Sequence, residues 1–372
     1  MTNLFFYGTL CDLELLSLVL GRTSHTVKDA VLPDHAVYWV KDNPFPMILA
    51  QHGETAEGVL LEGVTDEELS RLDFYEGGFD YLTQVLSVHA NGQIFEAKVF
   101  FPENENWTPS TIWKLEDWQA KWGKVARLGA AEVMSYQGKL APEHIVRIYP
   151  AILSRAQARI NAREITNVLA HSQPMPDLAQ LEQISHQIPY AGFFSVEEYQ
   201  LRFPQFDGSL SETVHRAIFR MADAVTILPY DPKRNRVMLI EQFRMAPYAM
   251  DDPHPWVLEP VAGRVDAGED YETAAIREMS EEAGIELHAL HEIARQYPSP
   301  GAVVEFLISY VGICDLPDNE TGVSGLESEA EDIRSHIFDL DEALALADTG
   351  AMKATPLLMS LYWLDRHRAQ FA

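Results

Sequence analysis

The rhythm of hydrophobic and polar positions changes twice along the chain. Up to about residue 108 the apolar residues fall in short runs of β character, at 4–7, 36–40, 58–61, 82–88 and 96–101, divided by turn-forming clusters. One helix is expected after the first of these runs, over 12–20. This mixture predicts a small α+β domain over residues 1–108.

From Thr108-Pro109-Ser110 onward the period lengthens. Ile112, Leu115, Trp118, Trp122, Val125 and Leu128 recur at three- and four-residue steps, the spacing of an amphipathic helix. A second helix is expected from Ala141-Pro142-Glu143 through Ile145, Ile148, Ile152 and Ile160, with a kink at Pro150. The polar, proline-containing stretch 171–176 closes this connector, residues 109–176, which could be a rigid spacer or part of either flanking domain. Beyond residue 177 the β pattern returns at 224–229, 237–242, 256–261, 303–311 and 333–338, with a helix after the third run and a turn at 231–235. Two final helices are expected near 340–347 and 356–366, so residues 177–372 read as an α/β domain.

Composition narrows the possible partners. Apolar residues make up 47% and charged residues 23% of the 372, a globular balance that excludes a disordered or fibrous chain. Twenty-eight Lys and Arg stand against 56 Asp and Glu, a formal charge of −28, which argues against nucleic acid or an anionic membrane as partner. A small anionic substrate remains possible if metal ions and a few arginines reverse the field locally. No apolar run is long enough to span a bilayer, and MTNLFFYGTL lacks the features of a signal peptide. Cys11 and Cys314 are too few for a disulfide framework or a cysteine zinc site. A cytoplasmic protein is expected.

The densest chemistry lies between Gly263 and Ile285. On a helix beginning after Asp270, Ala275, Ile276, Met279 and Ala283 form an apolar stripe, and Glu278, Glu281 and Glu282 fill the adjoining arc. Carboxylates on neighbouring turns repel, and burial makes the conflict worse unless a cation resolves it. Oxygen ligands without paired His or Cys favour Mg²⁺ (or Mn²⁺) over zinc, and Mg²⁺ shares its shell with substrate phosphates. Three glutamates alone would read as a solvated helix face. The full pattern says more: Gly263, Glu269, Arg277-Glu278-Met279, Glu281-Glu282 and Gly284-Ile285 satisfy every position of Gly-x5-Glu-x7-Arg-Glu-U-x-Glu-Glu-x-Gly-U, where U is a bulky aliphatic residue. This segment is identified as a Nudix box.

The similarity extends to Gly192–Ser195, Leu239–Arg244, Trp256–Glu259, Val261–Gly263, Ser299-Pro300-Gly301 and Gly325–Arg334, which together resemble the ADP-ribose pyrophosphatase subgroup. The resemblance implies an α/β/α sandwich with a mixed sheet, divalent-ion-assisted hydrolysis of a nucleoside diphosphate sugar, and a homodimer with an exchanged N-terminal strand. It assigns Glu278 and Glu282 as metal ligands, with Glu281, Glu331 and the main-chain oxygen of Ala262 beside them, and Glu329 as the group activating the attacking water. Arg216 and Arg244 match positions that hold phosphates or the terminal ribose, Phe193 and Phe194 match the element near which adenine stacks, and Glu305 is a candidate substrate contact. Gly301-Ala302-Val303-Val304-Glu305 keeps the acid of the subgroup's Gly-Gly-Thr-Ser-Glu run but loses its hydroxyls.

The first half carries a second, separate signal. Tyr7-Gly8-Thr9-Leu10 follows the first apolar run, and Leu72-Asp73-Phe74-Tyr75-Glu76-Gly77 comes much later. Together they resemble the γ-glutamylcyclotransferase-like superfamily, a small β-barrel with helices. That likeness implies turn amides at residues 7–10 that hold a γ-glutamyl compound, and Glu76 as the proton carrier; a docking or sensing role is the alternative. The fused layout resembles bacterial tellurite-resistance proteins, although no tellurite chemistry is visible here. For the second half the rivals are another nucleoside diphosphate sugar or dinucleotide as substrate, or a nucleotide-sensing scaffold that does not cut.

Overall fold

The structure, a computed structural model, describes residues 2–22, 26–76, 81–102, 107–163, 176–318, 323–324 and 332–371. The chain divides into two compact units, Met1–Ile160 and Asn161–Ala372. Residues 109–160, whose allegiance the sequence leaves open, belong to the first.

In the first unit β1 (Thr2–Phe6), α1 (Leu13–Leu20), β2 (Val27–Val40), β3 (Pro46–Val64), α2 (Asp66–Glu76), β4 (Tyr81–Ala90), β5 (Gln93–Pro102) and β6 (Pro109–Ile112) precede α3 (Leu115–Trp118), α4 (Lys124–Ser135) and α5 (Pro142–Arg163). The strand order β3-β1-β5-β4-β2, closed by pairing of β2 with β3, is a five-stranded barrel, and β6 adds to β2 outside the ring. Closure removes the exposed edges of the sheet. Gly58 allows one tight contact in this ring, since a Cβ there would lie 2.1 Å from the carbonyl oxygen of Phe6.

Polar contacts of Asp12, Pro44 and Arg71 attach the helical segment to the barrel, Arg71 Nη1 donating to Gln137 Oε1 at 3.1 Å. Asp12 caps α1 by accepting from the Leu15 amide at 2.9 Å, and also receives both Arg127 Nε at 2.9 Å and Gln119 Nε2 at 2.7 Å. Burial alone would raise the Asp12 carboxyl, but Arg127, Leu15 and Gln119 together hold it below its ordinary value. Trp118 donates from its indole to the Pro44 carbonyl at 2.9 Å. Within the segment, Arg155 of α5 pairs with Glu132 of α4, and Tyr136 donates to the same carboxylate at 3.1 Å. The helix α5 runs through Pro150, and Ser154 Oγ donates to the Pro150 carbonyl at 3.1 Å.

The second unit contains β7 (Glu182–Ala191), β8 (Ser195–Arg202), β9 (Val214–Arg220), β10 (Ala224–Asp231), β11 (Arg236–Phe243), α6 (Met245–Ala249), β12 (Trp256–Glu259), β13 (Val261–Arg264) and α7 (Tyr271–Glu278). It continues with β14 (Ala289–Gln296), β15 (Val303–Val304), β16 (Leu307–Ile313), β17 (Val323–Ser324), β18 (Ile333–Asp339), α8 (Leu340–Asp348) and α9 (Thr355–His367). An eight-stranded sheet runs β14-β16-β10-β11-β18-β17, with β12 on β11 and β13 on β10. It is mixed, because β10 pairs parallel to β16 and antiparallel to β11.

Side-chain alternation along the central strands fills two cores. Val225, Ile227, Met238 and Ile240 face Ala274, Ala275 and Met279 of the α7 region. Leu228, Val237, Leu239 and Val311 face α8 and α9 through Leu340, Ala343, Leu357 and Leu361. The unit is therefore an α/β/α sandwich, with a separate four-stranded sheet β15-β9-β8-β7.

Two expected strands are each divided. The run 256–261 breaks at Pro260, which has no N–H to donate, and its halves pair with different partners, β12 with β11 and β13 with β10. The run 303–311 breaks at Glu305-Phe306, leaving β15 in the small sheet and β16 in the large one.

Candidate active sites

In the second unit the acidic helix is placed by its two ends. Asp270 caps α7, its side chain accepting from the Thr273 amide at 2.7 Å. The α7 helix passes into a π-type turn over Met279–Ala283 and stops at Gly284, where φ is +63°. Ala274, Ala275, Met279 and Ala283 are buried, whereas Ile276 is 57% exposed, against the expected stripe. At about 100° per residue, Ile276 lies roughly 150° from the centre of the face shared by Ala274, Ala275 and Glu278. The position on that face is taken by a carboxylate instead.

Glu278 and Glu282 are 8% and 2% exposed, and both reach the Ala262–Gly263 step of β13. The Ala262 amide donates to Glu282 Oε2 at 3.1 Å. A Cβ on Gly263 would lie 1.9 Å from the Glu278 carboxyl group, so the carboxylate occupies the space that only glycine leaves.

Arg277 organises the remaining acids. It donates to both oxygens of Glu269 at 2.9 and 3.0 Å, to Glu278 Oε1 at 2.6 Å, to Glu281 Oε2 at 3.0 Å and to the Arg264 carbonyl at 2.9 Å. These carboxylates hold the guanidinium protonated far above any ordinary pH. The glycine, arginine and glutamates of the box thus form one connected cluster.

The other expected site residues are spread over several elements. Arg244 donates to Glu259 Oε2 at 2.6 Å, while Arg216 is exposed on β9 and donates to the His215 carbonyl at 2.9 Å. Phe193 is 57% exposed beneath the guanidinium of Arg264, 4.2 Å from its ring centre, a contact absent from the sequence reading. Phe194 packs on Phe219 and Tyr190 at 4.7 and 5.4 Å. Burial, and then the charge of Asp223, raise the Glu305 carboxyl. Glu329 and Glu331 lie outside the described residues. Among the described residues no three or more His, Cys, Asp or Glu side chains form a metal cage. A cleft lined by Glu241, His254, Trp256, Asp332 and Arg334 was not expected as a unit, because its members come from separate strands and loops.

In the first unit the turn after β1 and the end of α2 meet. Tyr7, Gly8, Thr9 and Leu10 share a pocket of about 90 Å³ with Tyr75 and Glu76. A Cβ on Gly8 would approach Pro46 Cγ to 3.0 Å, so the turn sits closely against the start of β3. Burial pushes the Glu76 carboxyl up to about 7, from an ordinary 4.5. Burial likewise pushes the Tyr149 phenol up to about 12, a Tyr75 hydrogen bond opposes this, and the Glu76 charge adds to it. Tyr7 is raised by burial and then by Glu76 and Cys11. Trp118, Trp122 and Tyr149 also line this pocket. The periodicity of Trp118 and Trp122 in the sequence gives a helix but not what it faces, and Tyr149 is absent from the sequence reading.

Comparison with known proteins finds a different family in each half of the chain. The NUDIX domain family model matches residues 220–359, and the model for gamma-glutamyl cyclotransferase, AIG2-like, matches residues 4–120. An ADP-ribose pyrophosphatase of Escherichia coli (strain K12) is 37% identical over 50% of this chain and 88% of its own. A GDP-mannose pyrophosphatase of Yersinia enterocolitica is 26% identical over 50% of this chain and 96% of its own. A crystal structure of an ADP compounds hydrolase aligns at 21% identity and a TM-score of 0.39, covering 54% of this chain and 98% of that one. The chain belongs to the Nudix hydrolases, enzymes acting on pyrophosphate bonds, and carries an AIG2-like, cyclotransferase-type domain in its first half.

Proposed function

We propose that the second unit hydrolyses the pyrophosphate bond of ADP-ribose, or a close ADP-sugar, to AMP and a sugar phosphate with Mg²⁺ (or Mn²⁺). The observation that carries this reading is the pair of buried carboxylates, Glu278 and Glu282, gathered on the backbone of Ala262 and Gly263. The donors fit the ion. Mg²⁺ uses one or two protein carboxylates and takes further oxygens from water and substrate phosphates. Glu281, Glu331 and the Ala262 carbonyl would complete the protein's share, and Glu329 would accept a proton from the attacking water. When bound, the ion neutralises phosphate charge and eases ionisation of water.

The chain's own residues do the positioning. Arg277 fixes Glu278 and Glu281 before substrate arrives, so little reorganisation remains. Arg216 and Arg244 offer guanidinium forks to phosphate or ribose oxygens, Phe193 and Phe194 offer faces for the base, and Glu305 contacts the sugar. We favour ADP-ribose over GDP-mannose as the substrate because the ADP-ribose pyrophosphatase relative is the more similar, 37% against 26% identical. A homodimer through this unit is supported by apolar side chains left open on the small sheet, with Ile184 53% and Phe219 43% exposed.

For the first unit we propose γ-glutamyl cyclotransfer. The α-amine of a γ-glutamyl amide attacks the side-chain carbonyl carbon, the bond from that carbon to the departing amine breaks, and 5-oxoproline forms. Glu76 takes the proton from the attacking amine and returns it to the departing one, a task suited to a carboxyl raised to about 7. A panel of nucleoside diphosphate sugars and dinucleotides with Mg²⁺, read by chromatography, tests the first proposal. AMP from ADP-ribose should exceed product from every other compound, and a wide preference for another compound would overturn the choice.

A further inference from the structure

One wall of the first unit's pocket does not come from the barrel. Trp118, Trp122 and Ala126 enter it from the first helical run, and Tyr149 and Leu153 from α5. The matched cyclotransferase-type family region ends at residue 120, so all of these except Trp118 lie beyond it. The wall is fixed in place. Asp12 ties down Gln119 and Arg127, Trp118 is tied to Pro44, and Arg155 locks α5 to α4. Its face consists of indole, phenol and aliphatic groups. Among the described lining residues there is no Lys, Arg, His or Asp, and Glu76 is the one acid.

We propose that this helical wall makes the pocket selective for γ-glutamyl amides whose departing amine carries an apolar, preferably aromatic, substituent. The inference rests on the cyclotransferase reading above and names its substrate class. A flat ring can lie against Trp118, Trp122 and Tyr149 in edge or offset geometry, and its burial releases water from apolar surface. A departing amino acid would instead bring a carboxylate among ring faces and close to Glu76; no described lining residue is a cation, and Lys121, whose ammonium lies 5.1 Å from the Trp122 ring centre, is not among them.

The test uses the full chain with γ-glutamyl phenethylamide and γ-glutamylglycine, following 5-oxoproline by chromatography. The aromatic amide should be favoured about tenfold or more in kcat/KM. Trp122→Ala should bring that ratio towards one, and Trp122→Phe should keep most of it. Trp122 is half-buried, so its truncation threatens the fold less than that of the buried Trp118, and near-ultraviolet circular dichroism checks this. Equal or reversed preference overturns the wall's role while leaving the cyclotransferase reading in place. Absence of 5-oxoproline from both compounds overturns that reading, and calorimetry then decides the wall. Phenethylamide binding weakened by Trp122→Ala upholds it, and no binding, or binding unchanged in the variant, removes it.

Discussion

A methyl group added at Gly263 would land 1.9 Å from the carboxyl of Glu278. Gly263→Ala should therefore displace that carboxylate while leaving the sheet pairing to β10 intact. The Mg²⁺ concentration giving half-maximal turnover of ADP-ribose should rise about tenfold, the scale seen when groups supporting a metal ligand are disturbed. An unchanged Mg²⁺ titration would remove Glu278 from the ligand set. Glu76 gives a different kind of prediction. Its carboxyl titrates near 7 in the fold against an ordinary 4.5, so the folded chain retains a proton that the unfolded chain loses between those values. That contribution is full below about pH 4.5, falls as pH rises to about 7 and is flat above. With partial exposure allowed for, the loss is on the order of 2 kcal/mol. Glu76→Gln should abolish it, as measured by urea unfolding at pH 5 and pH 8. Tryptophan fluorescence would report mainly on the first unit, which holds Trp39, Trp107, Trp113, Trp118 and Trp122. A slope that persists in the variant would assign it to other groups.

At the scale of elements, α5 brings Tyr149 and Leu153 to the pocket and depends on a buried ion pair to α4. Removing one partner leaves the other charge buried, so Arg155→Ala should cost about 3 kcal/mol or more in stability, while Arg155→Met with Glu132→Gln should cost much less. Calorimetric melting of the variants checks this, and equal losses would contradict it. The helix α7 and its π-type turn show what the sequence conveys and where it stops. The box spacing identifies Glu278 and Glu282, the cap at Asp270 and the stop at Gly284, because each depends on neighbours within a few residues. It misplaces Ile276, since which face of a short helix is buried is decided by a sheet distant in sequence. Likewise, Trp118 and Trp122 read as a helix stripe, but their role as a pocket wall follows from Asp12 and Pro44, more than seventy residues away. The strand run at 256–261 carries its own break at Pro260, whereas the run at 303–311 looks continuous in hydrophobicity and is divided by tertiary pairing, β15 with β9 and β16 with β10.

For the whole molecule, a charge of −28 and a phosphate-rich substrate are compatible only if cations intervene at the site. In the proposed reading the two sites are chemically independent, Glu76 serving the first unit and Glu282 the second. Glu76→Gln should therefore leave ADP-ribose turnover at the wild-type level, and Glu282→Gln should leave 5-oxoproline formation unchanged. Paired assays on each variant check this, and loss of both activities from either substitution would reveal coupling. In solution the chain should sediment as a dimer, and a monomer by analytical ultracentrifugation would contradict the proposed assembly. The account rests most heavily on Glu278 and Glu282 serving a divalent ion. The most direct test is the rate of AMP release from ADP-ribose by the full chain, with Mg²⁺ or with EDTA, for wild type and Glu282→Gln. The predicted result is AMP and ribose 5-phosphate with Mg²⁺ alone, and a rate lower by about a hundredfold or more in the variant, roughly 2.7 kcal/mol of lost transition-state stabilisation. Full turnover in EDTA, or a wild-type rate in Glu282→Gln, would contradict it.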